Sequence, residues 1–134
     1  IHSLNPDIIC FTGDLMDNPN EYKITPELNQ LLSQLEAPLG KYCVFGNHDH
    51  GGYGTEIYKE TMVSNGFTLL VNESNFITLD NGRQIVISGV DDAMLGKPNL
   101  DVSIPGQSSD LFTILLSYAP DYADYARKHC EKNI

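Results

Sequence analysis

The stretch Ile8-Ile9-Cys10-Phe11-Thr12-Gly13-Asp14-Leu15-Met16-Asp17 decides how this chain is read. Its first half is a short, unbroken apolar run. Such a run suits a parallel strand buried on both faces. Its second half is a glycine turn that delivers two carboxylates directly after the strand. The pattern returns at Tyr42-Cys43-Val44-Phe45-Gly46-Asn47-His48-Asp49. If the two strands are parallel neighbours, both turns fall on one sheet edge. Ligands of α/β sheets bind at that kind of edge.

The segments between and after these strands alternate helix and strand. Thr25-Pro26 reads as a helix start, with Thr as the cap and Pro at the first helical position. Leu28, Leu31, Leu32 and Leu35 follow at the spacing of one helix face. The stretch Ala37-Pro38-Leu39-Gly40 ends that helix. A second helix is expected from about Glu56 to Asn65, stopped by Gly66, then a strand over Phe67 to Val71. Phe76 to Leu79 and Gln84 to Ser88 flank Asp80-Asn81-Gly82-Arg83, a hairpin signal because Asn and Gly tolerate positive φ. Asp91 to Asp110 reads as a long loop, Phe112 to Ser117 as a buried strand. A last helix begins near Pro120 with Tyr122, Tyr125 and Ala126 on one side. Strand, turn and helix in this order predict an α/β layered sandwich.

The whole chain sets outer bounds. Its 134 residues suit one domain, spanning 1–134. With 41% hydrophobic residues it can bury a core, and no apolar run reaches the roughly 20 residues that cross a membrane. The net charge of −10 argues against a surface for nucleic-acid backbones. Three cysteines without CxxC spacing give neither a disulfide framework nor a zinc knuckle. Cys10 and Cys43 are expected in the core, which fits a reducing compartment. The chain opens at Ile1 without an initiator Met and is read as a piece of a longer protein.

The two turns carry the chemistry. A carboxylate such as Asp14 can bridge two divalent cations, and Asn47 offers a neutral oxygen ligand beside it. Two such cations can clamp a phosphate and generate a hydroxide nucleophile at neutral pH. His48 can reach the phosphate or the leaving-group oxygen as general acid or charge stabiliser. Asp17 and Asp49 can hold these groups in position, or serve only as turn residues. His50 reads as a residue of an exposed loop, and Gly51-Gly52-Tyr53-Gly54 as a flexible one, because the Lys-Ser/Thr ending of a phosphate-binding loop is missing. Asp91 and Asp92 face either a substrate cleft or cap their own loop.

Gly13-Asp14-x-x-Asp17 followed by Gly46-Asn47-His48-Asp49 resembles the central motifs of the calcineurin-like metallophosphoesterases. Leu35 to Gly40, Gly89-Val90-Asp91-Asp92 and Leu115-Leu116-Ser117-Tyr118-Ala119-Pro120-Asp121 are similar to a bacterial, membrane-associated phosphohydrolase branch. The resemblance implies an αββα sandwich, here incomplete at both ends, around two metal ions (Mn, Fe or Zn). It implies Asp14 as the bridging ligand, Asn47 as a ligand of the second metal and His48 on the phosphate. The implied activity is hydrolysis of a phosphate monoester, diester or pyrophosphate by a metal-bridging hydroxide. The implied substrate is a phosphorylated small molecule or lipid-like compound, and the place cytoplasmic or peripheral to a bacterial membrane, with membrane association of the parent protein.

The departures define the competing reading. No Asp-x-His motif precedes Asp14, and no Gly-His-x-His motif follows before Ile134. Tyr118 stands where the resemblance expects a histidine ligand. A neutral phenol is a poor ligand for Mn or Zn. The alternative is therefore a degenerate module that binds metal or a phosphorylated ligand without catalysis. A nucleotide-binding domain of another kind has little support, because GxGxxG and Walker A patterns are both missing. Substrate, metal identity and oligomeric state are not legible in the sequence.

Overall fold

The computed structural model describes residues 4–18, 21–50, 55–104 and 110–132. The elements run β1 (Ile9–Phe11), α1 (Pro26–Ser33), β2 (Lys41–Cys43), α2 (Thr55–Ser64), β3 (Phe67–Leu69), β4 (Glu73–Thr78), β5 (Gln84–Gly89), α3 (Leu100–Ser103), β6 (Phe112–Leu116) and α4 (Tyr122–Lys132). They form two sheets, β1-β2-β3 and β4-β5-β6. The first sheet is parallel, with Ile9 opposite Lys41 and Lys41 opposite Phe67. In the second, β4 and β5 are antiparallel while β5 and β6 are parallel.

Side-chain alternation stacks the layers. On β2 and its continuation, Cys43 and Phe45 point one way, into a core with Leu32, Tyr58 and Met62 from the helices and Phe67 from β3. Tyr42 and Val44 point the other way and meet Leu70, Ile77, Ile87 and Leu116 between the two sheets. This is the period of two expected of a strand covered on both faces. Beyond the second sheet, Val90 packs with Leu100 of α3 and Ala126 of α4. The order is helices, sheet, sheet, helices: the αββα sandwich. Gly89 lets the sheets approach, because a Cβ there would lie 2.4 Å from Leu70 Cβ.

The local signals act as their chemistry requires. Thr25 caps α1 by accepting the Leu28 N–H at 3.2 Å, and Pro26 opens the helix. Leu32 is buried and Leu28 and Leu35 pack beside it, but Leu31 is 62% exposed. Leu31 lies at the margin of the arc that the other three leucines share. Gly66 takes φ +81° past the end of α2.

Four expectations are corrected. Cys10 is exposed. It shares the face of its register partner Tyr42, but β1 is an outer strand of the described sheet, and Cys10 is not among the residues packed against the inter-sheet cluster. Phe112 is 70% exposed because β6 is also an outer strand. In the hairpin only Gly82 takes positive φ, at +79°. Asn81 instead accepts the Arg83 N–H at 3.0 Å through its side chain. The loop after Asp91 contains the short helix α3, capped by Asn99; its residues 105–109 lie outside the described residues, as does the 51–54 glycine loop. No helix among the described residues is long and apolar enough to cross a membrane.

Burial separates the cysteines. Cys43 has no exposed surface, and burial pushes its thiol up to about 12. A thiol held protonated and out of water is inert. Iodoacetamide at neutral pH is expected to modify Cys10 in the folded protein and Cys43 only after denaturation, as read by peptide mass spectrometry. Equal labelling of both in the native state would contradict the position of Cys43 in the core.

Candidate active site

The turn after β1 and the turn after β2 are built against each other. Phe11 and Val44 continue the sheet through a 3.1 Å hydrogen bond, Val44 N–H to Phe11 O. The chain then bends at Gly13, with φ +98°, and at Asp14, with φ +55°. The left-handed conformation is uncommon for a residue with a Cβ, though Asp tolerates it better than most. A Cβ on Gly13 would lie 2.2 Å from Gly46 N, and a Cβ on Gly46 would lie 2.1 Å from Asp14 Oδ1. Neither glycine can carry a side chain without parting the turns.

Asp49 is the clamp. It is 3% exposed, and its Oδ2 accepts the N–H of Asp14 at 2.7 Å and of Gly46 at 2.8 Å. One carboxylate oxygen thereby ties both turns together. Burial pushes its pKa above the usual carboxylate range, while the backbone N–H groups of Gly46, Asp14 and Leu15 pull the other way and the Asp14 charge adds to the rise. Such opposition is expected where a charge is buried but well solvated by donors.

The remaining candidates converge on the same edge. Asp14 Oδ1 accepts the His48 N–H at 3.0 Å, and Oδ2 accepts the Tyr118 hydroxyl at 2.6 Å. Tyr118 follows β6, so this bond joins the second sheet to the first at the site. The hydrogen bond to Asp14 raises the Tyr118 pKa, aided by burial and by the charges of Asp14, Asp92 and Asp49, so the phenol stays neutral and donates. Asn47 is half-buried, within the turn between the anchored Gly46 and His48.

The His48 ring is exposed, and its Nδ1 meets the carbonyl oxygen of Asp17, with the Asp17 carboxylate 3.4 Å away. A carbonyl only accepts, so Nδ1 carries the hydrogen and Nε2 is the nitrogen left for other chemistry. The Asp17 carbonyl pushes the His48 pKa up, and Asp14, Asp17 and Asp49 add to the rise against partial burial. The imidazolium is thereby favoured.

Of the residues that hold this edge, His50 and Asn72 carried no clear signal in the sequence, while Asp91 and Asp92 take the loop-capping one of their two readings. His50, expected on an exposed loop, is half-buried: its Nε2 pairs with Asp91 Oδ1 and its ring lies 4.9 Å from that of Phe45. Asp91 also accepts the N–H groups of Asp92 and Lys97, and a Cβ on Gly96 would meet its carboxylate. Asp91 therefore caps its own loop and anchors the His50 end of the second turn. Asp92 accepts the N–H groups of Met94 and Leu95. Asn72, at φ +56°, accepts from Asp91 N–H and Asn99 N–H and donates to the Lys97 carbonyl. The spacing Asp91-x-x-x-x-Gly96 was the available hint of a self-capped turn.

The donor chemistry bears on metal binding. Asp14 and Asn47 present oxygen ligands of the kind divalent ions accept. Among the described residues no three His, Cys, Asp or Glu side chains gather as a ligand set. Asp14 and Asn47 thus fit as part of a donor set, and a full one needs further ligands.

The Metallophos model, described as calcineurin-like phosphoesterase, matches residues 1–133. The uncharacterized metallophosphoesterase YkuE of Bacillus subtilis is 46% identical over 123 residues, covering 92% of this chain and 43% of that protein. The UDP-2,3-diacylglucosamine pyrophosphatase LpxG of Chlamydia trachomatis is 46% identical over 54 residues, 40% of this chain and 16% of its own length. A transmembrane protein with metallophosphoesterase domain from Bos taurus is 30% identical over 140 residues, 90% of this chain and 29% of its own. The chain spans less than half the length of each of these relatives. No solved structure shows a significant match.

Removing the Asp49 carboxylate leaves the buried Gly46 N–H and the half-buried Asp14 N–H unpaired, each costing up to roughly 1–3 kcal/mol. Asp49→Ala is therefore expected to lower unfolding stability by about 3 kcal/mol in denaturant titration. A loss below about 0.5 kcal/mol, the range of ordinary surface substitutions, would contradict the clamp.

Proposed function

The chain belongs to the calcineurin-like phosphoesterase family, and from that premise we propose that residues 1–134 form one domain carrying part of a metal-dependent phosphoesterase centre. The carrying observation is the clamp of Asp49 on Asp14 and Gly46, which places Asp14, Asn47 and His48 on one edge. Asp14 and Asn47 are the proposed metal ligands. Donors from other parts of the whole protein complete the set. When bound, divalent ions supply charge neutralisation at the phosphate and acidify the attacking water.

The chain's own residues supply the rest. The His48 N–H fixes the Asp14 carboxylate through Oδ1. The Asp17 carbonyl fixes the His48 tautomer, so that Nε2 serves the substrate. His48 in its protonated form gives a proton from Nε2 to the leaving-group oxygen, or stabilises charge on the phosphate. The Asp17 carbonyl, with the surrounding carboxylates, raises its pKa and so favours that form. The reaction is hydrolysis of a phosphate monoester, diester or pyrophosphate. The name of the chlamydial relative, a diacylglucosamine pyrophosphatase, supports a lipid-like phosphorylated substrate. The name of the Bos taurus relative, a transmembrane protein, supports membrane association of the whole protein.

The contact of Tyr118 with Asp14 favours a second reading, a centre that binds a metal or phosphorylated ligand without turnover. His48→Ala separates the two. If His48 is catalytic, the variant of the whole protein loses turnover of a model phosphodiester by about 10²-fold or more, with its metal content unchanged in elemental analysis. Turnover equal to wild type would remove His48 from the mechanism. A wild-type protein that holds metal and hydrolyses nothing would favour the binding reading.

A further inference from the structure

Tyr118 belongs to the second sheet's end of the chain, yet its hydroxyl donates to Asp14 Oδ2 across 104 positions of sequence. The other oxygen of that carboxylate accepts the His48 N–H. Both oxygens of Asp14 therefore carry a hydrogen bond from the protein. The Tyr118 hydroxyl stabilises the charged carboxylate and occupies a lone pair of Oδ2 that a cation would use. The ring of Tyr118 also occupies space beside Oδ2.

The two contacts differ in kind. The His48 N–H is part of the turn that Asp49 locks, and it stays while the turn stays. The Tyr118 hydroxyl ends a half-buried side chain with two rotatable torsions. None of the bonds that hold the two turns together runs through it. No other side chain among the described residues makes a hydrogen bond to this carboxylate.

We propose that Tyr118 is a removable cap on Asp14: its hydroxyl holds Oδ2 and must release that oxygen when a divalent ion binds. The cap lowers affinity by the free energy of the bond it breaks, and it tunes how readily the centre loads. The inference rests on the reading of Asp14 as a metal ligand.

The test is a calorimetric titration of the whole protein with Mn²⁺, in wild type, Tyr118→Phe and Tyr118→Ala. Loss of one hydrogen bond to a charged group corresponds to about tenfold in affinity, so both variants are expected to bind Mn²⁺ about tenfold more tightly. Wild type is expected to show a tyrosine ultraviolet difference band on binding that Tyr118→Phe lacks. Equal or weaker binding in both variants would overturn the cap and make Tyr118 a support of the loaded carboxylate. If wild type and variants all fail to bind Mn²⁺, the metal reading of Asp14 falls, and the cap falls with it.

Discussion

Two backbones that pass too closely for any side chain hold this structure's functional edge together. Gly13 and Gly46 face each other where a Cβ on either would sit inside the other turn. The contact forces Gly13 and Asp14 into the left-handed region and brings the amides of Asp14 and Gly46 to one point. The Asp49 carboxylate occupies that point. Without the clamp, the Asp14 and Gly46 N–H groups would lack partners, a cost of about 3 kcal/mol against a net domain stability of roughly 5–15 kcal/mol. The parallel pairing of β1 with β2 sets the distance at which this becomes possible.

The site inherits its electrostatics from this arrangement. The Asp17 carbonyl raises the pKa of one exposed histidine, and the carboxylates of Asp14, Asp17 and Asp49 around it add to the rise. Like charges gathered this closely repel one another, and a bound cation would relieve the repulsion. The net charge of −10 is thus concentrated in part where it has a structural consequence. The outer anchors act at one remove. Asn72 and Asp91 order the 91–99 turn, and Asp91 reaches back to His50 at the end of the second glycine turn.

Much of this was legible. Apolar runs ending in glycine gave β1 and β2, Thr25-Pro26 gave the start of α1, and Gly82 gave the hairpin. These signals are local, and local chemistry decides them. Exposure of Cys10, Leu31 and Phe112 was not legible, because it depends on which strand lies at the outside of a sheet and where a helix face ends. The partners of Asp14 were also hidden. His48 lies 34 positions away and Tyr118 lies 104 away, and no periodicity links residues across such distances. The His50–Asp91 pair was missed for the same reason.

Asp14 is the residue on which the account converges, since turn geometry, His48 and Tyr118 all meet at its carboxylate. Asp14→Asn keeps the shape and an acceptor oxygen but removes the charge. The decisive measurement is Mn²⁺-supported hydrolysis of a model phosphodiester by the whole protein carrying Asp14→Asn, with folding checked by circular dichroism. The account predicts a folded variant whose rate falls by about two orders of magnitude or more. A folded variant with a wild-type rate would contradict it.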